Sequence, residues 1–179
     1  MDKSCCFFGH RDPEITNELK SKLYDIIKKL IVEENTETFL FGSKSRFNDL
    51  CYQLTSQLKS DYPYIKRIYV RAQFPDINDD YRAYLLKSYE DTYYPENMIN
   101  AGKAAYIERN QRMIDNSKFC IIYYDEKYTP PTRKKINPTA SNPKSGTKIA
   151  YDYALRKRRT IINVFNEINQ APESNDTTT

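Results

Sequence analysis

Three short segments of the sequence place glycine or serine beside basic or hydroxyl side chains, a combination suited to binding phosphate. Glycine lets the backbone approach a ligand closely, and an arginine guanidinium can donate two parallel hydrogen bonds to phosphate oxygens. Two of the segments directly precede predicted helices, whose free backbone N–H groups and dipole favour an anion. We therefore predict a site for an anionic, phosphorylated ligand. Its candidate residues in these segments are Gly9, His10 and Arg11, then Gly42, Ser43, Lys44 and Arg46, and finally Ser145, Gly146 and Thr147.

The elements that must position these segments follow from an alternation of apolar runs with stretches of helical periodicity. Strands are predicted at residues 4–8, 38–41, 65–70, 119–124 and 160–165. Helices are predicted from an N-cap at Asp12 with Pro13 in the first turn, and then over residues 47–58, 102–117 and 147–157. Residues 71–100 are expected to form short helical turns with a crossover. The alternation predicts an α/β fold, a doubly wound, mostly parallel sheet of five or more strands flanked by helices.

A sheet of this kind gives the three segments a common location. Ligands bind beyond the carboxyl ends of its strands, at the point where the strand order switches direction. Any one of the segments alone is weak evidence, because glycine and serine cap helices in most proteins. Their predicted convergence on one edge is what favours a site. The length predicts one domain over residues 1–168, with an exposed proline- and lysine-rich loop at 127–145 and a disordered tail at 169–179.

The charge of the chain is uneven and points to an anionic partner. The net charge is +4, yet the stretch from Lys127 to Arg159 holds ten basic residues against the single acid Asp152. Such a stretch attracts the phosphates of a small ligand or of a nucleic-acid backbone, and a merely solvated surface is an equal alternative. No apolar run approaches the roughly 20 residues that a membrane span needs, and the N-terminus lacks the pattern of a signal peptide. We expect a cytoplasmic protein with no membrane partner.

The cysteines and the lone histidine give no indication of a metal site. Cys5, Cys6 and Cys120 lie in predicted strands and Cys51 lies on the apolar face of a predicted helix, without the spacing of metal ligands. Buried, reduced thiols are therefore expected, with neither a disulfide nor a zinc site, and no cofactor is required. His10 has no evident carboxylate partner, so contact with a ligand or stabilisation of a turn is favoured over acid–base catalysis.

Four segments make the sequence resemble a known superfamily. They are CCFFGHR at 5–11, FLFGSKSRFNDL at 39–50, YIERNQRMIDNSKFCIIYYD at 106–125 and SGTKIAYDYALRKRRTIINV at 145–164. Their order and spacing resemble the SLOG superfamily of Rossmann-like domains, and most closely its YpsA-like branch. That superfamily includes LOG-type phosphoribohydrolases, DNA-processing protein A, which binds single-stranded DNA, and sensors of NAD-derived signals. The resemblance implies a nucleotide-like ligand, either a nucleoside phosphate or a molecule similar to NAD or ADP-ribose.

The resemblance also bears on catalysis, residue by residue. LOG-type enzymes carry Glu-Arg-Lys-x-x-Met and later Pro-Gly-Gly-x-Gly-Thr-x-x-Glu, in which the arginine and the last glutamate serve catalysis. This sequence keeps Arg109 but has Asn110 at the lysine position, and Ala150 at the position of the glutamate. Alanine can neither activate water nor stabilise an oxocarbenium centre. The resemblance thus implies that Arg109 and Asn110 bind the ligand without LOG-type hydrolysis. For Arg109, the alternative is a salt bridge to an aspartate.

Two other functions and one other partner stay open. A nucleotide N-glycosidase would need a different acid, for which Asp115, Asp125 and Asp152 are the candidates. A single-stranded nucleic-acid binder would use the basic loop and the tyrosines between Tyr81 and Tyr106, because aromatic rings stack on bases. A second copy of the chain, forming a homo-oligomer, is a further alternative as partner. The branch usually has Gly-Phe-Asp where this sequence has Arg46, Phe47 and Asn48. The resemblance thus implies that losing an acid and gaining Arg46 make the site more positive, whereas Phe47 is expected to pack in the core.

Overall fold

A computed structural model describes residues 3–128 and 144–169 of the 179-residue chain. In the described residues, six strands form one parallel sheet with the order β4-β3-β2-β1-β5-β6, and helices connect them. The doubly wound α/β sheet predicted from the sequence is therefore confirmed. The elements are β1 Ser4–Gly9, α1 Asn17–Val32, β2 Thr38–Phe41, α2 Arg46–Asp61, β3 Lys66–Val70, α3 Asp79–Leu86, β4 Asp91–Tyr93, α4 Gly102–Asp115, β5 Phe119–Tyr123, α5 Gly146–Arg156, β6 Thr160–Asn163 and α6 Val164–Asn169.

The direction in which the chain adds successive strands to the sheet reverses beside β1. The chain adds β2, β3 and β4 on one side of β1 and then crosses to its other side for β5 and β6. Cys6 pairs with Leu40 of β2, and Gly9 pairs with Tyr123 of β5. Because all the strands are parallel, the turns after β1, β2 and β5 lie at one edge, as predicted. The switch point, where a ligand is expected in such a sheet, falls between β1 and β5.

Helices cover the sheet and bury its strands. On one side, α1 packs against α2 and α6, whereas α4 packs against α5. Burial on both faces explains why the strands read as continuous apolar runs rather than as alternating ones. Phe7, Phe39 and Phe41 belong to one hydrophobic cluster, and the opposite faces of the strands supply another. That second cluster includes Cys6, Phe8, Leu40, Val70, Cys120, Ile122 and Ala150.

All four cysteines are free and buried. Burial raises the pKa of the Cys5, Cys6 and Cys51 thiols well above the ordinary value, so these side chains stay protonated and pack as small apolar groups. The predicted burial is confirmed. Phe47, predicted to pack in the core, is likewise fully buried.

The start of α1 differs from the prediction. The helix begins at Asn17, and Thr16 is its N-cap, with the Thr16 hydroxyl accepting a hydrogen bond from the backbone N–H of Leu19 at 3.1 Å. The prediction of an N-cap at Asp12 was wrong because Asp12 has a different partner. Its carboxylate forms an ion pair with Arg46 at 2.8 Å. This contact ties the segment after β1 to the first turn of α2.

Two other segments correct the sequence-based boundaries. Residues 71–100 contain α3 and the short edge strand β4, and three residues were too few to show a strand pattern. The strand predicted at 160–165 ends at Asn163, and Val164 begins α6, which extends to Asn169. Residues 129–143 of the predicted loop, and residues 170–179 of the predicted tail, lie outside the described residues. Among the helices of the described ranges, none combines the length and apolarity needed to cross a bilayer.

Candidate functional site

The candidate site is built on the carboxyl edge of the sheet, where two helices begin. Ser45 caps α2 by accepting a hydrogen bond from the N–H of Asn48 at 3.2 Å. Ser145 caps α5 in the same way, accepting from the N–H of Lys148 at 3.1 Å. Each serine satisfies one N–H of its own helix and leaves other N–H groups of the first turn facing the edge.

Short contacts connect the predicted segments across this edge. The backbone N–H of Arg46 donates to the carbonyl of Arg11 at 3.0 Å, which joins the turns after β1 and β2. The Lys148 ammonium lies 5.5 Å from the ring centre of Tyr124, which joins the start of α5 to the end of β5. Arg11, Lys44 and Gly146 are exposed there, and Thr147 is buried.

Glycines 9 and 42 are needed for packing inside the protein. A Cβ on Gly9 would overlap the ring of Phe47, and a Cβ on Gly42 would overlap the guanidinium of Arg109. A Cβ on Gly146 would meet nothing within 4 Å. Gly9 and Gly42 thus make room for buried side chains of the protein itself, Phe47 and Arg109. The sequence pattern had suggested that these glycines allow the close approach of a ligand.

Arg109 is the most unusual group at the edge. The residue is only 2% exposed, and its Nη1 donates to the carbonyl oxygens of Gly42 at 2.5 Å and Val70 at 2.8 Å. Its Nε donates to the side-chain oxygen of Asn110 at 2.9 Å. Within residues 3–128 and 144–169 it forms no ion pair, so the alternative of a salt bridge to an aspartate is wrong for these residues. Nη2 has no hydrogen-bond partner among the same residues.

The environment of Arg109 disfavours its charge. Burial lowers the pKa of the guanidinium to about 10, and nearby tyrosines offset only part of that effect. A buried cation without a counter-ion is destabilising, so an anion at this position is strongly favoured. Tyr106, 45% exposed, lies with its ring centre 5.9 Å from the guanidinium carbon. Burial raises the pKa of Tyr69, and Arg109 and Lys44 both counteract that increase, which places two cations near this phenol.

His10 holds two turns together. The residue is buried, its Nε2 accepts the backbone N–H of Asp125 at 2.9 Å, and its ring stacks on Tyr128 at 3.9 Å between ring centres. A nitrogen that accepts this bond carries no proton, and burial lowers the pKa of His10 below its ordinary value. His10 was expected either to contact a ligand or to stabilise a turn, and these contacts support stabilisation of a turn.

The remaining charged candidates are largely neutralised by neighbours. Arg46 is paired with Asp12 and adds little net charge to the site. Asp115 lies at the C-terminal end of α4, at the opposite edge of the sheet, where it accepts the Tyr153 hydroxyl at 3.0 Å. Asp115 therefore cannot act at the carboxyl edge.

The acids nearer the carboxyl edge are also engaged. Lys144 and Lys148 hold the pKa of Asp152 below its ordinary value through hydrogen bonds of 2.9 and 3.2 Å. One Asp125 carboxylate oxygen accepts the N–H of Lys127 at 2.8 Å. No group of three or more potential metal ligands occurs in the parts of the chain that the structure describes.

Sequence analysis missed two buried polar residues. Glu108 accepts hydrogen bonds from Asn100 and Ile99 in the loop before α4, and the bond from the Asn100 N–H does most to lower its pKa. Asn48, 2% exposed, donates to the carbonyl of Phe7 at 3.3 Å. Asn48 shares the buried side of α2 with Cys51 and Thr55. A polar side chain on an apolar helical stripe was the feature that could have revealed it.

The architecture is similar to that of a solved protein. Over 94% of this chain and 72% of the other, it superposes on DNA processing protein A from Helicobacter pylori with a TM-score of 0.54 and 14% sequence identity. The fold is Rossmann-like. The report of that structure describes how the Helicobacter pylori protein binds single-stranded DNA. No protein-family model matches the chain, and no curated protein matches it.

Proposed function

We propose that this protein binds a nucleotide-type phosphorylated ligand at the carboxyl edge of its sheet, with a phosphate at Arg109. The observation that carries the proposal is a buried guanidinium that lacks an acidic partner within the described residues. An anionic phosphate would supply the missing charge and accept a hydrogen bond from Nη2. Lys44, which is exposed and acts to lower the pKa of Tyr69 as Arg109 does, would add to the attraction.

The surroundings of Arg109 favour a nucleoside phosphate, or a molecule similar to NAD or ADP-ribose, over a bare anion. Helices α2 and α5 both begin at this edge, and their N–H groups suit further phosphate oxygens. Exposed Tyr106 offers a ring next to the guanidinium. The SLOG resemblance of the sequence, with its YpsA-like branch, supports the same class of ligand.

We infer a binding or sensing role without LOG-type hydrolysis. Ala150 is 2% exposed in an apolar cluster and offers no acid or base. Asp152, on the same helix, is already occupied by two lysines. Hydrolysis would therefore need a different carboxylate, and of the candidates only Asp125 lies at this edge without an ion pair to a lysine side chain in the described chain.

The proposed function is tested by titrating the protein with ribose 5-phosphate, AMP, NAD and ADP-ribose in a calorimeter. We expect binding of at least one of the nucleotides, with competition from ribose 5-phosphate. Chromatography of the same mixtures should show no released base. If none of the four compounds binds, the phosphate site is wrong. Rapid release of free base would instead establish the N-glycosidase alternative.

Binding of single-stranded nucleic acid is the second candidate. Phe74, Tyr81 and Tyr84 are exposed in or beside the segment that links β3 to β4, and stacked rings of this kind can hold bases. Similarity in fold to a protein that binds single-stranded DNA favours the same partner. An oligonucleotide affinity that falls steeply with salt, and that is lost in Tyr81→Ala, would support it. Equal affinity for oligonucleotide in Tyr81→Ala and the native protein would exclude this use of the tyrosines.

A further inference from the structure

The surface around α3 exposes a large share of the apolar side chains that face solvent. Nine large apolar side chains are exposed in the described residues, and five of them lie between positions 74 and 99. Two of the five are tyrosines whose rings are stacked with their centres 6.3 Å apart. Exposed aromatic side chains concentrated in one place are typical of an interaction surface. The five residues are Phe74, Tyr81, Tyr84, Leu86 and Ile99.

The turn before α3 displays one of these rings from a strained backbone. Phe74 has a φ of 58°, in the left-handed region, which is unfavourable for a bulky residue and more so before Pro75. Arg71 stabilises the turn, because its Nη1 donates to the carbonyl oxygens of Phe74 at 2.5 Å and Pro75 at 3.2 Å. The Phe74 side chain nevertheless remains 63% exposed. A strained turn that holds an apolar ring in solvent indicates a partner for that ring.

Acidic residues beside these rings define the charge of that partner. Asp76, Asp79 and Asp80 are exposed, and none of them forms an ion pair within residues 3–128 and 144–169. Asp80 lies one helical turn before Tyr84, on the same side of α3. Carboxylates in this setting attract a basic partner and repel a nucleic-acid backbone. The α3 surface is defined here as Phe74, Asp76, Asp79, Asp80, Tyr81 and Tyr84.

A surface of the opposite charge lies in the turn between α5 and β6. Arg156, Lys157 and Arg158 are exposed there, next to Leu155, which is 53% exposed. Lys157 pairs with Asp115 at 3.2 Å. Neither arginine forms an ion pair in the part of the chain that the structure describes. The turn thus combines unbalanced positive charge with an exposed apolar side chain.

Arg158 occupies a backbone position that favours glycine. It directly follows Lys157, the C-cap of α5, and its φ of 53° is left-handed. Glycine adopts this conformation freely and is the usual residue at this position, whereas arginine is disfavoured there. A cation in the last turn of a helix would stabilise the helix dipole, but Arg158 lies beyond that turn. The position of its charge is therefore better explained by a partner than by the helix.

The two surfaces lie at opposite ends of the sheet. Helix α3 directly precedes the edge strand β4, and the basic turn, residues 155–158, directly precedes the other edge strand, β6. Six strands spaced about 4.8 Å apart separate these edges by about 24 Å, so one molecule cannot bring its own two surfaces together. Their opposite charges and exposed apolar groups favour a contact between two molecules.

We propose that the α3 surface of one copy of this protein binds the basic turn of a second copy. The carboxylates of the α3 surface pair with Arg156 and Arg158, and Leu155 packs on the exposed rings. The two sides of the contact differ, so each copy can engage a partner through either surface. The contact is independent of the proposed phosphate site, because neither surface includes Arg109.

Sedimentation of the full chain at concentrations up to about 1 mM tests this contact. Asp80→Lys and Arg158→Glu should each weaken self-association about tenfold or more, because like charges then face each other. The matched controls are Asp25→Lys and Lys28→Glu, which reverse exposed charges on α1 and should associate as the native protein does. Circular dichroism of each variant verifies that it is folded.

An equimolar mixture of Asp80→Lys and Arg158→Glu shows whether the two surfaces bind each other. The first variant keeps its basic turn and the second keeps its α3 surface, so a native contact can form only between the two variants. The mixture should therefore contain a pair that neither variant forms alone. Calorimetry with ribose 5-phosphate should give the same result for both variants as for the native protein, whether or not that compound binds.

Three results would overturn the proposal. The first is a native protein that stays monomeric over the whole concentration range. The second is self-association that Asp80→Lys abolishes and Arg158→Glu leaves intact, because the α3 surface would then have another partner. The third is a mixture in which the two variants stay monomeric. A monomeric native protein that binds a single-stranded oligonucleotide, with the binding lost in Tyr84→Ala, would assign the α3 surface to nucleic acid instead.

Discussion

Replacing Arg109 with methionine should remove phosphate binding while changing the stability of the free protein only moderately. Lowering the pKa of this guanidinium from its ordinary value to about 10 corresponds to about 3 kcal/mol, since each pKa unit is about 1.4 kcal/mol. That free energy is the unfavourable part of burying the charge, and an anionic ligand can recover it. It amounts to a factor of about 100 in affinity.

The effect of Arg109→Met on folding combines two opposed contributions. The carbonyl oxygens of Gly42 and Val70 would each lose a donor, which destabilises by about 1–3 kcal/mol per unpaired buried group. Removing the buried charge returns about 3 kcal/mol. The net change in the free energy of unfolding should therefore stay within about 3 kcal/mol.

The assay is calorimetry with ribose 5-phosphate together with urea unfolding followed by circular dichroism. Arg156→Met, an exposed position at the far end of α5, is the matched control and should change neither measurement appreciably. We expect Arg109→Met to raise the Kd about 100-fold. Native affinity combined with a loss of more than about 4 kcal/mol in the free energy of unfolding would refute the reasoning, because Arg109 would then be only a structural link between β2 and β3.

Three more predictions follow from the same contacts. Gly42→Ala should displace the Arg109 guanidinium and lower the free energy of unfolding by about 1–3 kcal/mol, whereas Gly146→Ala, in open space, should have no such effect in urea unfolding. Ala150→Glu should destabilise by about 2 kcal/mol or more, because it buries a carboxylate in an apolar cluster; equal stability of Ala150→Glu and native protein would contradict that burial. His10 should titrate below 6.5 in a proton NMR experiment, because burial disfavours its charged form. The unfolded chain then binds this proton first, so His10 makes stability fall as the pH drops below about 6.5, and an apparent pKa at or above that value would argue against the buried, neutral ring.

Patterns along the chain predicted the elements better than their ends. The five strands and the buried helical stripes were visible because a sheet covered on both faces needs apolar runs, and its helices need one apolar side. The start of α1 was misplaced because Asp12, a suitable N-cap by residue type, is used instead by Arg46 in a contact 34 residues away. The strand β4 was missed because a three-residue edge strand carries no periodicity.

In the candidate site too, local patterns predicted the positions of residues but not their contacts with distant parts of the chain. Sequence placed Gly9, Gly42 and Ser145 at the ends of elements, and parallel strands brought those ends to one edge. It gave no means of seeing that the two glycines make room for Phe47 and Arg109. The pairing of His10 with Asp125 likewise joins residues 115 positions apart.

The amino-acid sequence by itself determined the α/β architecture, the common edge of the three candidate segments and the lack of a glutamate at position 150. Those properties follow from local periodicity and residue type. Tertiary structure alone decided that Arg109 is buried beside two carbonyls without an acidic partner in the described chain, and that the side-chain oxygen of Asn48 is buried without a hydrogen-bond partner there. The burial of a polar group and its hydrogen-bond partners depend on which distant residues meet across the sheet. The free energy of a buried charge depends on its burial and on its partners.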